Sequence, residues 1–196
     1  FKLLGTEIYV SFLFFAVLHF MLLIDKTGLC FLCVFSFFVH EAGHLFACFL
    51  FESQPKSIKL VPASILITRS FERRKSGEIL IALFGPLASL LTALTFFLNF
   101  RLTKNMTALN LSLINFIIFA FNLLPVNGLD GGTILREIIK RKKGERKAQK
   151  TLFFLSLIIG VLTVFAAAYL CIGKRVNVSL LLLGVYFIVC SLLRAN

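Results

Sequence analysis

The chain contains three histidines, and two of them stand in His40-Glu41-Ala42-Gly43-His44, the pattern H-E-x-x-H. On a helix, positions four apart share a face, so both imidazoles can converge on one divalent cation with the Glu41 carboxylate beside them as a base. For this composition the pattern is expected about 0.002 times by chance, which makes coincidence a poor explanation. The competing arrangement is structural, with two histidines hydrogen-bonded between helices and Glu41 in a polar network. A hydrolytic zinc site usually takes three protein ligands and leaves a fourth position open. His19 and Asp130 are the candidates for the third ligand. Two imidazoles and a carboxylate suit one zinc ion, and also cobalt or iron.

The elements that must position these residues lie in lipid. The 196 residues are 59% hydrophobic and 15% charged, with a mean hydropathy of +0.94, whereas a soluble domain is about 45–50% apolar and about 25% charged. Apolar runs at about 8–24, 29–51, 79–99, 108–126, 151–172 and 176–193 each approach the length of a spanning helix. No separate soluble domain, PDZ or CBS, fits in what remains. The first run is the weakest, diluted by Tyr9, Ser11 and His19, and the fourth is ragged where Pro125 and Gly128 would break a helix. No signal peptide is expected, because the start at Phe1 shows neither a charged n-region nor a small-residue cleavage site. Five cysteines scattered through apolar stretches read as small buried residues, and Cys30 and Cys33 have no partner pair.

Between Ser57 and Arg69 the β-branched segment SIKLVPASILITR, centred on Pro62-Ala63, reads as a hairpin too short to span. The expected architecture is therefore an all-α polytopic membrane protein. It is one domain over residues 1–196, with about six transmembrane helices and a short re-entrant β-hairpin between helices two and three. An exposed hairpin edge is a surface on which an extended peptide can add as a strand, which makes Ile65 and Leu66 candidate substrate contacts. An interfacial loop without that role is the alternative.

Cytoplasmic loops carry the excess of Lys and Arg. With six spans, sixteen of the basic residues fall on the side shared by both termini, the hairpin loop and the Arg136–Lys150 run, against five on the other. Both termini are thus expected in the cytoplasm, and topology accounts for the formal charge of +12. The Arg136–Lys150 run reads as a solvated loop touching anionic lipid headgroups and not as a nucleic-acid site. In this frame His19 lies in the outer half of span one, whereas Asp130 follows span four at the level of His44. Pro125, Gly128, Gly131 and Gly132 let the backbone turn there, so Asp130 is the preferred third ligand.

H-E-x-x-H in an early span, paired with Asn122-Leu-Leu-Pro125-Val-Asn-Gly-Leu-Asp130-Gly131 near the end of a later one, resembles the site-2 protease family of intramembrane zinc metalloproteases. The compact plan looks most like its stage IV sporulation protein FB group. The resemblance implies that His40, His44 and Asp130 ligate one zinc and that Glu41 is the general base. It also implies that Asn122 and Pro125 shape the site and contact substrate. The family's G-P-x-x-N motif is matched by Gly85-Pro86 but ends in Ser89, and a common Pro is replaced by Gly128. The implied activity is hydrolysis of a peptide bond in a membrane-associated protein near the cytoplasmic side. For the sporulation group the substrate would be a sigma-factor precursor, with inhibitory membrane proteins as partners. A divalent-metal transporter using the same His/Asp cluster is the alternative from another class, although no chain of polar residues leads away from the cluster. An inactive scaffold would not need Glu41.

Overall fold

The computed structural model describes residues 2–3, 6–10, 12–51, 55–61, 64–69, 77–172 and 178–193. In order these form β1 (Lys2–Leu3), β2 (Thr6–Val10), α1 (Phe12–Ile24), α2 (Leu29–Leu50), β3 (Pro55–Val61), β4 (Ser64–Arg69), α3 (Gly77–Thr103), α4 (Met106–Asn122), α5 (Asp130–Lys143), α6 (Glu145–Ile172) and α7 (Val178–Leu193). Two compact units divide the chain, Phe1–Phe121 and Asn122–Asn196.

The expectation of an all-α chain with six crossing helices and an isolated re-entrant hairpin is corrected. Of seven helices among the described residues, three are long and apolar enough to cross a membrane, Leu29–Leu50, Gly77–Thr103 and Glu145–Leu170. At about 1.5 Å per residue, the 13 residues of α1 reach about 20 Å, well short of a hydrocarbon core of about 30 Å. The first apolar run is shortened because Thr6–Val10 is a strand. Strands β3 and β4 do not stand alone, since they belong to a four-stranded sheet ordered β1-β2-β3-β4. In it β2 runs parallel to β3 with Glu7 opposite Ser57 and Val10 opposite Leu60, whereas β3 and β4 are antiparallel. The Pro62-Ala63 turn lies outside the described residues.

In the first unit α2 and α3 pack closely. A Cβ at Gly43 would lie 2.5 Å from the Phe84 carbonyl and 2.8 Å from Ala88 Cβ, so glycine is what admits the contact, as at small-residue crossings in membranes. Ala47, Cys48 and Ile81 form the adjoining core, with Phe51 and Phe84 against it. α4 contributes buried Ser112 and Asn115. Ser112 donates to the Ala93 carbonyl at 2.9 Å, and Asn115 donates to Ser36 Oγ at 2.8 Å. Phe31, Phe35, Phe46, Phe49, Leu91 and Leu98 are exposed. So many exposed large apolar side chains are unusual for a soluble monomer and suit contact with lipid chains.

In the second unit the basic run is helical, not the expected loop. Helix α5 stops at Gly144, whose φ of 84° favours glycine, and α6 starts at once. Arg136 Nε and Lys140 Nζ both meet the Glu145 carboxylate, at 2.9 and 3.1 Å, tying the two helices at their junction. Further on, Gly160 and Gly184 face one another, with a Cβ on Gly184 reaching 2.7 Å from Val164 Cγ2.

The start of α2 is held by Asp25, outside the helix. Its carboxylate accepts from Thr27 Oγ1 at 2.6 Å and from the Thr27 and Cys30 amides at 2.8 and 2.6 Å. These bonds, the Thr27 hydroxyl foremost, hold Asp25 below its ordinary value of 3.8. A depressed carboxylate stabilises the fold above its unfolded pKa and loses that contribution as pH falls through the lower folded value. Protection of the Thr27 and Cys30 amides against hydrogen exchange, taken relative to the unfolded chain at each pH, should therefore hold down to about pH 4 and fall below it. In Asp25→Ala that protection should be low throughout.

Candidate metal centre

His40 and His44 occupy one face of α2, 4% and 9% exposed. Their rings are crossed at 82°, and their Nε2 atoms are 3.2 Å apart. Two zinc–nitrogen bonds of about 2.0–2.1 Å at a tetrahedral angle place the nitrogens about 3.3–3.4 Å apart. The pair is thus spaced as two ligands of one small cation.

Each ring is held from behind by α3. His44 Nδ1 donates to the Ile81 carbonyl at 2.8 Å. A carbonyl only accepts, so the neutral His44 ring carries its proton on Nδ1 and presents an Nε2 lone pair towards His40. His40 Nδ1 lies 3.0 Å from Ser89 Oγ. Imidazole ligands commonly engage their second nitrogen in this way, which fixes ring orientation and tautomer.

The sequence segment Gly85-Pro86-Leu87-Ala88-Ser89 explains the arrangement. A Cβ at Gly85 would fall inside the His44 imidazole, so only glycine lets the ring lie against the α3 backbone. Pro86 cannot donate to the Ala82 carbonyl, which loosens the helix ladder in the turn where Ile81 receives the imidazole. Ser89, fully buried, stands one turn further on. The motif match at Gly85-Pro86 and Ser89 assigned these residues no partner, and Ile81 carried no signal; the structure sets Ile81 and Ser89 behind the histidines. The available signal was the G-P-x-x-S spacing itself, one helical turn from ring contact to hydroxyl.

Glu41 follows His40 on α2 and is half-buried, whereas His19 is exposed on α1. Ile65 and Leu66 lie on β4, paired with Leu60 and Lys59 of β3. Since β4 ends the sheet order, its other edge is unpaired among the described residues.

In the second unit Asn122 ends α4, Pro125 sits in the turn that follows, and Asp130 opens α5. The turn folds tightly back, with Val126 N–H on the Leu124 carbonyl at 2.8 Å, Leu129 N–H on the Val126 carbonyl at 3.1 Å and Gly128 at φ 100°. A side chain at Gly131 or Gly132 would overlap the Leu123 or Val126 carbonyl. The two glycines thus let the start of α5 press against the turn and fix the place of the Asp130 carboxylate. Asn127 N–H is anchored on buried Ser156 Oγ of α6 at 2.8 Å. A cavity of about 430 Å³ opens between Asn127, Thr133, Arg136 and Gln149.

Replacing Gly85 with Ala should drive His44 off its Ile81 carbonyl. Overpacking of this kind costs about 1–3 kcal/mol, and thermal unfolding of Gly85→Ala together with its content of divalent cation measures both effects.

Three comparisons with known proteins bear on the family and the fold. Residues 11–130 match the family described as Peptidase M50B-like, and residues 101–163 match Peptidase family M50. A zinc metalloprotease of Methanocaldococcus jannaschii is 28% identical over 162 residues, covering 76% of this chain and 48% of that protein. The chain thus spans about half the length of that curated relative. The solved site-2 protease from Methanocaldococcus jannaschii aligns over 100% of this chain and 94% of its own, with a TM-score of 0.73 at 22% identity, and so shares the fold. With well over half of the chain matched, and the H-E-x-x-H helix inside the match, the protein belongs to the M50 peptidase family.

Proposed function

We propose that the chain is an intramembrane zinc endopeptidase that hydrolyses a peptide bond of a membrane-associated protein near the cytoplasmic side. The observation that carries this is the pair of imidazole Nε2 atoms 3.2 Å apart, each ring braced through Nδ1. His40, His44 and Asp130 are the ligands we assign to one zinc, and they are the His/Asp set among the described residues with the donor chemistry for it. When bound, zinc would supply Lewis acidity to water and to the substrate carbonyl. Glu41 takes the proton from the attacking water and passes it to the leaving amine. Asn122 and Pro125 shape the site around substrate. Because the family is one of peptidases, metal transport is not put forward.

A peptide bond inside a helix is shielded by its own hydrogen bonds, so the substrate must be drawn out before it is cut. We assign that task to the free edge of β4 at Ile65 and Leu66, where a strand can be added. The likeness to the stage IV sporulation protein FB group makes a sigma-factor precursor the first substrate to try, with inhibitory membrane proteins as partners. The Lys and Arg bias favours a cytoplasmic position for α5 and both termini. There the exposed Lys140, Arg141, Lys142 and Lys143 would meet anionic lipid.

Glu41→Gln should keep its zinc and lose cleavage of a co-expressed substrate by about 10²–10⁴-fold, the usual worth of a general base. Equal cleavage by the variant would discard the mechanism. For the strand-addition step, Ile65→Pro and Leu66→Pro form a matched pair, since alternate strand amides point to opposite edges. The variant that loses the outward amide should cut turnover with zinc and folding retained. Unchanged turnover in both would remove β4 from substrate binding.

A further inference from the structure

The two histidines are braced by chemically different partners. His44 Nδ1 faces a carbonyl, the Ile81 oxygen, which accepts and never donates. His40 Nδ1 faces the Ser89 hydroxyl, which does either. With the His44 lone pair directed at His40 across 3.2 Å, a proton or a cation between the two nitrogens relieves the repulsion of two lone pairs at that distance. If a cation lies there, His40 must offer Nε2 as a ligand and carry its proton on Nδ1, donating to Ser89 Oγ. If none does, His40 can carry its proton on Nε2, and Ser89 then donates its own hydrogen to Nδ1.

We propose that Ser89 is a positioning residue that lets His40 exchange tautomers as the metal enters and leaves, while Ile81 keeps His44 in one tautomer throughout. The exchange is balanced: one proton leaves His40 Nε2 to water on the ligand side of the ring, one is taken up at Nδ1 when the buried His40–Ser89 contact transiently opens to water, and the Ser89 hydroxyl turns from donor to acceptor. The ring stays neutral and oriented in both states, so loading needs neither a ring flip nor a net proton release from His40. Burial enforces this, since Ser89 is fully enclosed and His40 nearly so, and an unmet polar group there is costly. The proposal rests on the zinc reading above.

The chain has only three histidines, which makes the test direct. The full chain, labelled with ¹⁵N-histidine in detergent micelles and assigned with His19→Gln, is compared by multiple-bond ¹H–¹⁵N spectra without metal and with one equivalent of Zn²⁺. His44 should show the Nδ1–H tautomer in both samples, and His40 should change from Nε2–H to Nδ1–H on loading. An unchanged His40 tautomer in a protein that binds zinc overturns the proposal alone. A wild-type chain that binds no zinc overturns the zinc reading and this proposal with it. In competition with a chelator, Ser89→Ala should bind zinc about 10–100-fold more weakly, and Ser89→Thr, which restores the hydroxyl, should recover most of the loss. Equal affinity in Ser89→Ala would remove Ser89 from the site. Should Ser89→Ala fail to fold, the wild-type tautomer comparison still decides.

Discussion

Everything at the candidate metal centre depends on how closely α3 can approach α2. Between packed helices in a membrane there is no water behind the rings, so the imidazole nitrogen that faces α3 must find a partner on that helix or carry a large penalty. Gly43, Gly85 and Ala88 bring the two backbones close enough for α3 to serve the histidines with one carbonyl and one hydroxyl. A larger residue at either glycine would keep the helices apart and leave the nitrogens unmet. The small residues are therefore part of the site although none of them carries chemistry.

A second consequence is order. Each ring is held at one nitrogen by α3 and directs the other at its neighbour, so little rotational freedom remains to be lost when a ligand arrives, and preorganisation of this sort is what makes a site precise. The second unit uses the same device in another form. Asp130 opens α5 behind a turn packed on two glycines and pinned by Ser156 to α6. In both units glycine admits backbone to backbone or ring to backbone, and a buried serine completes the hydrogen bonding.

Much of this was legible from residue order, because the signals are local. H-E-x-x-H is complete within five residues, and its helical reading follows from the period of the α-helix. The hairpin strands at 57–69 could be read from β-branched content around a proline, but their partners could not. Residues 6–10 alternate in a way that a short helix or a strand could share, and their strand state depends on Glu7 lying opposite Ser57 after two intervening helices. The basic run from Arg136 had the composition of a solvated loop. It is helical on both sides of the break at Gly144, with Arg136 and Lys140 meeting the Glu145 carboxylate across that break.

The sequence by itself determined that the chain is a membrane protein and that His40, Glu41 and His44 fall together on a helix, since composition and short periodicity need no long-range contact. It also marked Asp130 as a candidate ligand through its setting of proline and glycines. Only the tertiary structure decided which atoms stand behind the imidazoles. Ile81 and Ser89 are separated from their histidines by more than thirty residues, and no spacing rule reaches that far. Packing chose them, because a buried ring nitrogen is satisfied by polar atoms that the adjoining helix presents to it.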